Sequence, residues 1–360
     1  MSKKFFKKDL EYIISLILSI LASLLIGALI MIANGRSPIV GYGALLKGAF
    51  GSKYNIATTF AKTVPLVLTG LATAISFRSG IYNIGGEGQL YLGAFAAAYV
   101  GITFTSLPQA IGLLLAIVAG GVVGGLYAYL PAVLKIKYKI DEVITTIMLN
   151  SVAMLFTSYL VNYPFATTRG KMNGTEIIAE QYHLTKLVRL STLNTSIFFM
   201  GFIALFMYYL MEKTSSGYDY KMVGQNTLFA RFGGIDDKRQ MIMAMVLSGA
   251  LCGLSGVFEV VGVHHRFLQN ISPGYAWDGM LVALIVKSNP IGVIIMSIFF
   301  GALKTGSISM ENATSIPSEL VLVIQSIIIL FIAGEAGFKE RFKEWNMERR
   351  AKQKVGEKDA

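Results

Sequence analysis

Long apolar stretches alternate with short polar connections along the chain. A transmembrane helix needs about 20 mainly apolar residues, and stretches of roughly this length recur throughout. They lie at about 11–33, 63–78, 84–106, 109–131, 142–164, 195–212, 240–262, 291–308 and 318–336. Another apolar segment, 275–286, has only about half the required length. This pattern predicts an all-α integral membrane protein.

The basic residues predict the orientation of these helices. If the N-terminus is cytoplasmic, alternate crossings place the other basic segments in the cytoplasm too, as the positive-inside rule expects. The basic segments are 3–8, 135–139, the loop 213–239 and the tail that follows residue 337. All of the basic segments fall on the cytoplasmic side only if 275–286 also crosses the membrane. This gives about ten crossings and two cytoplasmic termini.

The same topology divides the chain into a membrane part and a tail. We expect a single transmembrane domain, 1–337, whose loop 213–239 is cytoplasmic, and a charged cytoplasmic tail, 338–360. The N-terminal apolar run has no convincing cleavage site, so we expect a retained first helix. The loops 34–62, 164–194 and 263–274 should face outward, and the first is expected to be an amphipathic or looped stretch on the outer surface.

Composition agrees with a polytopic membrane protein. The chain is 54% hydrophobic and 15% charged, with a mean hydropathy of +0.59, whereas soluble domains are about one quarter charged. A net charge of +11 could indicate nucleic-acid binding, but the basic runs flank apolar spans. We therefore expect contact with membrane lipid and not with nucleic acid. Cys252, the only cysteine, lies in an apolar span, which excludes a disulfide framework.

Two glycine-rich polar segments interrupt the apolar pattern. The first, FRSGIYNIGGEGQLYLGAF at 77–95, carries Asn83, Glu87 and Gln89; the second, NISPGYAWDGMLVAL at 270–284, carries Trp277 and Asp278. Polar groups at membrane depth are costly unless they line a cavity or bind something. An odd number of crossings separates the two segments, so we predict an inverted repeat of glycine-broken helices around a transport site.

The predicted substrate pathway consists of a few polar and aromatic side chains. They are Asn83, Glu87, Gln89, Asn150, Trp277 and Asp278. Structural alternatives remain open for several of them: Glu87 could cap its own helix, Asp278 could cap the next, and Trp277 could be an interfacial anchor.

Glycines at intervals of four predict close helix packing. Gly120 with Gly124 and Gly121 with Gly125 form two overlapping pairs. Small residues from Gly249 to Gly256 have a similar spacing. Small residues at this spacing let transmembrane helices approach closely. We interpret these positions as structural.

The cytoplasmic loop contains a short predicted helix. The segment SSGYDYKMVGQNTLFARFGGIDDKRQ at 215–240 places a helix at about 226–232, ended by Gly233 and Gly234, with Asp236 and Asp237 before the next span. A glycine after a short helix is typical of a C-cap. The resulting compact projection could dock into a groove of a partner protein, or could merely connect two spans.

The sequence offers little for catalysis. It has no GxxxxGK[ST] phosphate-binding loop, so ATP would have to be bound by another subunit. The three histidines, His183, His264 and His265, lie in predicted outer loops. We expect no catalytic residue, no metal site and no cofactor bound by this chain.

Four motifs in order carry a family resemblance. They are TVPLVLTGLATAISFRSGIYNIGGEGQLYLGA, DEVITTIMLN, VGQNTLFARFGGI and SPGYAWDGMLVALIVKSNPIG. From about 48 to 337 the chain resembles the membrane permeases of bacterial ABC importers in the ribose and branched-chain amino acid permease superfamily, most of all the nucleoside-importer branch. It departs from many relatives at Ile285, Val286 and Lys287, where they carry a leucine-glycine pair.

The resemblance implies partners and a location. It implies a second homologous permease chain, ABC ATPase subunits that bind ATP and Mg²⁺, an extracytoplasmic substrate-binding protein or lipoprotein, and the bacterial cytoplasmic membrane. It also implies that 224–235 is the helix that couples to the ATPase. The coupling residues would be Gly224, Asn226, Ala230, Arg231, Gly233, Gly234 and Ile235.

Three functions remain open at this point. An ATP-driven permease for purine or pyrimidine nucleosides is favoured by the resemblance, and a simple-sugar permease of the ribose or galactose type is its nearest alternative. An ion-coupled secondary transporter would use Glu87 and Asp278 as coupling groups.

Overall fold

The computed structural model describes residues 2–167, 173–314, 317, 319–327 and 330–331, with side chains from residue 17 onward. In this part of the chain, helices and isolated β-bridges are the regular structure. The helices are α1 (Ser2–Ala33), α2 (Pro38–Phe50), α3 (Lys53–Arg78), α4 (Gly86–Thr103), α5 (Gln109–Tyr138), α6 (Glu142–Asn162), α7 (Ser196–Lys213), α8 (Ser215–Gln225), α9 (Thr227–Phe232), α10 (Asp237–Glu259), α11 (Tyr275–Ile285) and α12 (Pro290–Thr314). The predicted tail, 338–360, lies outside the described residues, as does part of the last predicted span, 318–336.

Six of the described helices are long and apolar enough to cross a membrane. They are α3, α5, α6, α7, α12 and α10 with its extension to His264. The apolar part of α1 (Ile17–Ala33) and α11 are shorter. The prediction of an all-helical membrane protein is therefore confirmed. The larger number of crossings and the inverted repeat stay predictions.

The segment 34–62 is more helical than expected. Most of it forms α2 and the first turns of α3, which begins ten residues before the predicted apolar limit. The reason is local: the Ser52 hydroxyl accepts a hydrogen bond from the Asn55 N–H at 3.1 Å and caps α3. Polar residues thus extend a helix whose apolar part starts later.

Two compact units make up the described chain. One comprises the described residues of 1–45 and those after 306, and within it the Tyr42 hydroxyl donates to the Leu24 carbonyl at 2.5 Å. The other, 46–306, contains both polar interruptions and the loop 213–239.

Glycines hold α4, α5 and α10 in backbone contact. We call Gly93, Gly120, Gly124, Gly249 and Gly253 the glycine seam. A Cβ atom added to Gly93 would lie 2.5 Å from the Cα of Gly253, and one added to Gly124 would lie 2.9 Å from the same atom. The predicted close packing is confirmed, because no side chain fits at these crossings.

Gly253→Ala should destabilise the protein, whereas Gly121→Ala should not. The new Cβ at position 253 would clash with the backbone carbonyl oxygen of Gly120, which can move only if the helix itself shifts. At Gly121 the nearest atom is Cδ2 of Leu254 at 3.5 Å, an ordinary contact. We expect a loss of about 2 kcal/mol for Gly253→Ala and a neutral or slightly stabilising effect for Gly121→Ala.

Thermal unfolding midpoints of the two variants in the same detergent provide the measurement. Equal unfolding midpoints for both variants would contradict the claim that the glycine seam leaves no room for a side chain at Gly253.

Candidate functional site

Asn83 organises the turn between α3 and α4. Its Oδ1 accepts hydrogen bonds from the Gly85 N–H and the Gln89 side chain, both at 3.0 Å. Its Nδ2 donates to Gln89 Oε1 and to the Ser248 hydroxyl, both at 2.9 Å. The two amide side chains are therefore paired with each other inside the protein, where Asn83 is 3% and Gln89 1% exposed.

Asn150 holds the same turn from α6. Its Oδ1 accepts from the Gly88 N–H at 2.7 Å, and its Nδ2 donates to the Ile84 carbonyl at 2.9 Å. A turn between two helices leaves backbone groups without helical partners, and a buried one needs side chains to satisfy them. Asn83, Gln89 and Asn150, predicted to line a pathway, have this supporting role in the structure.

Glu87 joins the two polar interruptions. Its Oε2 accepts a hydrogen bond from the backbone N–H of Ala276, in the first turn of α11, at 3.0 Å. Glu87 lies in the first turn of α4, where its charge favours the start of that helix, while its carboxylate bonds to α11. The segments 77–95 and 270–284 are therefore in direct contact through this carboxylate.

Asp278 forms a buried ion pair that the sequence did not predict. Its carboxylate lies 2.6 Å from the Lys304 Nζ on α12, and the two side chains are 9% and 15% exposed. The Lys304 Nζ also lies 5.7 Å from the centre of the Tyr275 ring. The backbone carbonyl of Lys304 accepts a hydrogen bond from Lys62 Nζ at 3.0 Å. Lys304, inside the apolar segment 291–308, was the available signal, because a charge at membrane depth usually has a partner. Trp277, 40% exposed, is not part of these contacts.

A third carboxylate lies where α10 changes geometry. Glu259 ends the α-helix and is 5% exposed, and the next turn, Val260–His264, is a π-helix. The Nε2 of His264 lies 3.6 Å from the Glu259 carboxylate. Single π-helical turns are frequent at functional sites. Glu259 is not evident from the sequence, because the apolar pattern continues through it.

The two other histidines are stacked. The rings of His183 and His265 have their centres 3.8 Å apart at an angle of 22°. Burial, followed by the neighbouring charge of His183, lowers the pKa of His265 to about 4. His265 is therefore neutral at physiological pH. Within the described residues, no set of three histidine, cysteine, aspartate or glutamate side chains is placed to hold a metal ion.

Lys304→Met should destabilise the protein by leaving the Asp278 charge buried and uncompensated. Removing one partner of a buried pair costs about 3–5 kcal/mol. The double variant Asp278→Asn with Lys304→Met should recover much of that loss, because no charge is then left behind. Lys53→Met, at an exposed lysine of α3, is the control.

The measurement is the thermal midpoint and the yield of monodisperse protein for each variant. A single Lys304→Met variant as stable as Lys53→Met would rule out a structural ion pair.

The loop 213–239 contains the predicted short helix with both caps. The Asn226 side chain accepts from the Phe229 N–H at 3.0 Å and caps α9 at its N-terminus. At the other end, the N–H of Gly233 donates to Phe229 and that of Ile235 to Ala230, both at 3.0 Å. Gly234 has a φ of +80°, which favours glycine. The helix and its glycine stop are confirmed, with Asn226 as the cap and not the first helical residue.

A bidentate ion pair fixes α9 to the helix that follows. Arg231 Nε and Nη2 donate to the two carboxylate oxygens of Asp237 at 2.7 and 2.8 Å. Asp236 in turn caps α10 by accepting from the Arg239 N–H at 3.1 Å. The fork geometry of arginine orients α9 against the start of α10.

Three large apolar side chains of α9 are exposed. Leu228 is 65%, Phe229 64% and Phe232 91% exposed, while Ala230 is 1% exposed and faces the protein. Large exposed apolar residues on a small projection mark an interaction site. These three residues are not among the predicted coupling residues, which on this helix are Ala230 and Arg231.

Gly224 brings the loop against the α3–α4 turn. A Cβ on Gly224 would lie 2.9 Å from the Gly80 nitrogen, and a Cβ on Gly80, whose φ is +74°, would lie 3.0 Å from the Gly224 Cα. The end of α8 is therefore in backbone contact with the turn that Asn83 organises. The predicted coupling residue Gly224 has a packing role at this contact.

The fold and these sites define a multi-pass helical membrane permease. Residues 55–333 match the family described as branched-chain amino acid transport system / permease component, and the chain belongs to that family.

Three characterised relatives are similar over most of their length. The guanosine ABC transporter permease protein NupP of Bacillus subtilis (strain 168) is 33% identical over 91% of this chain and 94% of the relative. The nucleoside ABC transporter permease protein NupB of Lactococcus lactis subsp. cremoris (strain MG1363) is 33% identical over 88% and 89%. The glucose ABC transporter permease protein TsgB13 of Haloferax volcanii is 31% identical over 90% and 87%.

Proposed function

We propose that this chain is the membrane-spanning subunit of an ATP-driven importer of nucleosides in the bacterial cytoplasmic membrane. The similarity to NupP over nearly the full length of both chains carries the proposal. Its substrate is a purine or pyrimidine nucleoside, and its alternative is a simple sugar, which the similarity to a glucose permease favours.

The energy enters through a partner. The chain itself is not an enzyme, and ATP and Mg²⁺ are bound by an ABC ATPase subunit on which α9 docks. The apolar side chains of Leu228, Phe229 and Phe232 fill the contact, and the caps at Asn226 and Gly233 keep the helix in shape. A second homologous permease chain and an extracytoplasmic substrate-binding protein complete the transporter.

The proposed topology places α9 inside the cell. About ten crossings in two inverted, glycine-broken halves put both termini and the loop 213–239 in the cytoplasm. Domain 1–337 is then the permease and 338–360 its cytoplasmic tail.

The substrate pathway runs beside the junction of the two polar segments. Glu87 and Asp278 fix α4, α11 and α12 relative to one another, and Trp277 supplies an exposed aromatic face for a base or sugar. Asn83, Gln89 and Asn150 hold the adjacent turn in place. An ion-coupled mechanism has less support, because the carboxylates of both Glu87 and Asp278 already have partners inside the protein.

Uptake by the complete reconstituted transporter tests the substrate. We expect labelled guanosine to enter proteoliposomes only when ATP reaches the ATPase, and unlabelled nucleosides to compete where glucose and ribose do not. Competition by a sugar alone would transfer the protein to the sugar alternative. Uptake that does not depend on ATP but is abolished by an uncoupler would contradict the ABC mechanism.

The exposed face of α9 gives a sharper test of docking. Replacing Phe229 and Phe232 by serine should reduce guanosine-stimulated ATP hydrolysis at least about tenfold, because two large apolar contacts with the ATPase are lost. Both side chains are exposed, so the fold of the permease should be unaffected.

The matched control replaces the same two residues by leucine, which keeps the surface apolar. Thermal midpoints of both variants verify the fold. Undiminished stimulation in the serine variant would refute the docking assignment.

A further inference from the structure

A short hairpin leads directly into α7. Lys186 and Asn194 form an isolated antiparallel β-bridge, and the Leu187 N–H donates to the Leu193 carbonyl at 2.9 Å. The first residue of α7, Ser196, follows the bridge at once. We call the segment from Lys186 to Asn194 the α7 hairpin.

The tip of the α7 hairpin holds a leucine in an uncommon, exposed position. Leu190 has a φ of +69°, in the left-handed region that residues with a Cβ seldom adopt, and it is 87% exposed. The Ser191 N–H donates to the Val188 carbonyl at 3.2 Å, and the Ser191 hydroxyl accepts from the Leu193 N–H at 3.1 Å. These bonds hold the turn that presents Leu190. Backbone strain of this kind is maintained by surrounding contacts and is concentrated at functional sites.

The tip lies beside the first turn of α7. Val188, two residues before Leu190, packs against the same apolar cluster as Ile197, the second residue of α7. The cluster itself contains Leu193 of the hairpin and two alanines of α3. The tip is therefore held at about the level at which α7 begins.

The length of α7 places this level at the boundary of the bilayer core. The helix has 18 residues, which span about 27 Å, and the hydrocarbon core is about 30 Å thick. Glu212 and Lys213 end the helix, so its apolar part is shorter still. The start of α7 cannot stand clear of the membrane unless the bilayer becomes thinner. The α7 hairpin therefore lies at the depth of the lipid headgroups.

The exposed side chains of the α7 hairpin suit that depth. Leu187 and Leu190 are exposed and apolar, whereas Lys186 and Arg189 are exposed and basic. The apolar surface continues on the first turn of α7 with Phe198, which is also exposed. Apolar side chains at the membrane interface enter the boundary of the acyl chains, while neighbouring basic side chains are attracted to anionic lipids.

We propose that the α7 hairpin is an interfacial membrane anchor that binds the anionic surface of the lipid bilayer. Leu187 and Leu190 insert among the acyl chains, and Lys186 and Arg189 contact the phosphates of anionic headgroups. The leaflet is the one at the N-terminal end of α7, which is the outer leaflet in the proposed topology. The anchor requires neither a nucleoside nor an ATPase, so it can fail without affecting the proposed function.

The anchor also fixes the depth of the π-helical turn. Asn194, at the base of the hairpin, donates from Nδ2 to the Gly262 carbonyl at 3.0 Å. Gly262 belongs to the π-helical turn Val260–His264. A hairpin held in the headgroup layer therefore holds the end of α10 as well.

Nitroxide labels on the full-length chain in lipid nanodiscs test the depth of the tip. The parent is Cys252→Ala, which removes the only cysteine, and the labels are attached to Leu190→Cys, Phe202→Cys or Glu180→Cys. Phe202, exposed on α7, is the lipid control, and Glu180, an exposed acidic residue of the preceding loop, is the water control. Oxygen concentrates in lipid, whereas a nickel chelate stays in water. We expect the ratio of oxygen to nickel accessibility at position 190 to match that at position 202 and to exceed that at position 180 severalfold.

Two outcomes would overturn the anchor. One is a label at position 190 that is as accessible to the nickel chelate as the label at position 180. The other is protection of position 190 that develops only when the extracytoplasmic substrate-binding protein is added, which would assign the tip to that protein. Thermal midpoints show whether each labelled protein is folded, and Leu187→Cys provides a second label position in the hairpin.

The lipid composition tests the headgroup contact. With the label on Leu190→Cys, we expect the accessibility ratio to rise when phosphatidylglycerol replaces part of the phosphatidylcholine, and Lys186→Gln with Arg189→Gln to abolish that rise. The matched control is Lys238→Gln with Arg239→Gln, because it removes one exposed lysine and one exposed arginine at the opposite end of α10. A rise that is equal in the two double variants, or absent from the labelled parent, would overturn the contact with anionic headgroups.

Discussion

Backbone contact between α4, α5 and α10 positions nearly every other part of the second unit. Between transmembrane helices there is no hydrophobic driving force, so close packing has to stabilise their association. Glycines at Gly93, Gly124 and Gly253 allow that packing, and they fix α10 against the start of α4. The turn before α4 and the π-helical end of α10 are therefore placed by one set of contacts.

Buried polar groups complete this frame. Glu87 connects α4 to the start of α11, and Asp278 connects α11 to Lys304 of α12. Each connection is buried, so removing one partner destabilises the protein far more than replacing both partners by apolar groups. The helices that carry the two polar segments are thus tied together. Arg231 fixes α9 to the start of α10, and Gly224, at the end of α8, contacts the α3–α4 turn. The proposed function assigns the three exposed apolar side chains of α9 to the contact with a partner ATPase.

The sequence predicts features that depend on local chemistry. Apolar length predicts most of the long helices, although α3 begins ten residues before its apolar part. Asn226, Gly233 and Gly234 predict α9, because caps act on the turn beside them. Spacing of four predicts Gly120 and Gly124 at a helix contact, although it does not name Gly93 as their partner. The pairs Glu87 with Ala276 and Asp278 with Lys304 join distant segments, which no local pattern identifies. Exposure of Phe229 and Phe232 depends on which side of α9 faces the protein, and a six-residue helix is too short for a periodic signal.

Site-specific photocrosslinking from position 232 tests most directly whether energy enters through α9. A photoreactive phenylalanine analogue replaces Phe232 in the complete transporter, and Leu205, 66% exposed on α7, provides the control position. The account predicts a crosslink from position 232 to the ATPase subunit and none to the ATPase from position 205. Crosslinks from position 232 to lipid alone, or to the paired permease in place of the ATPase, would contradict it.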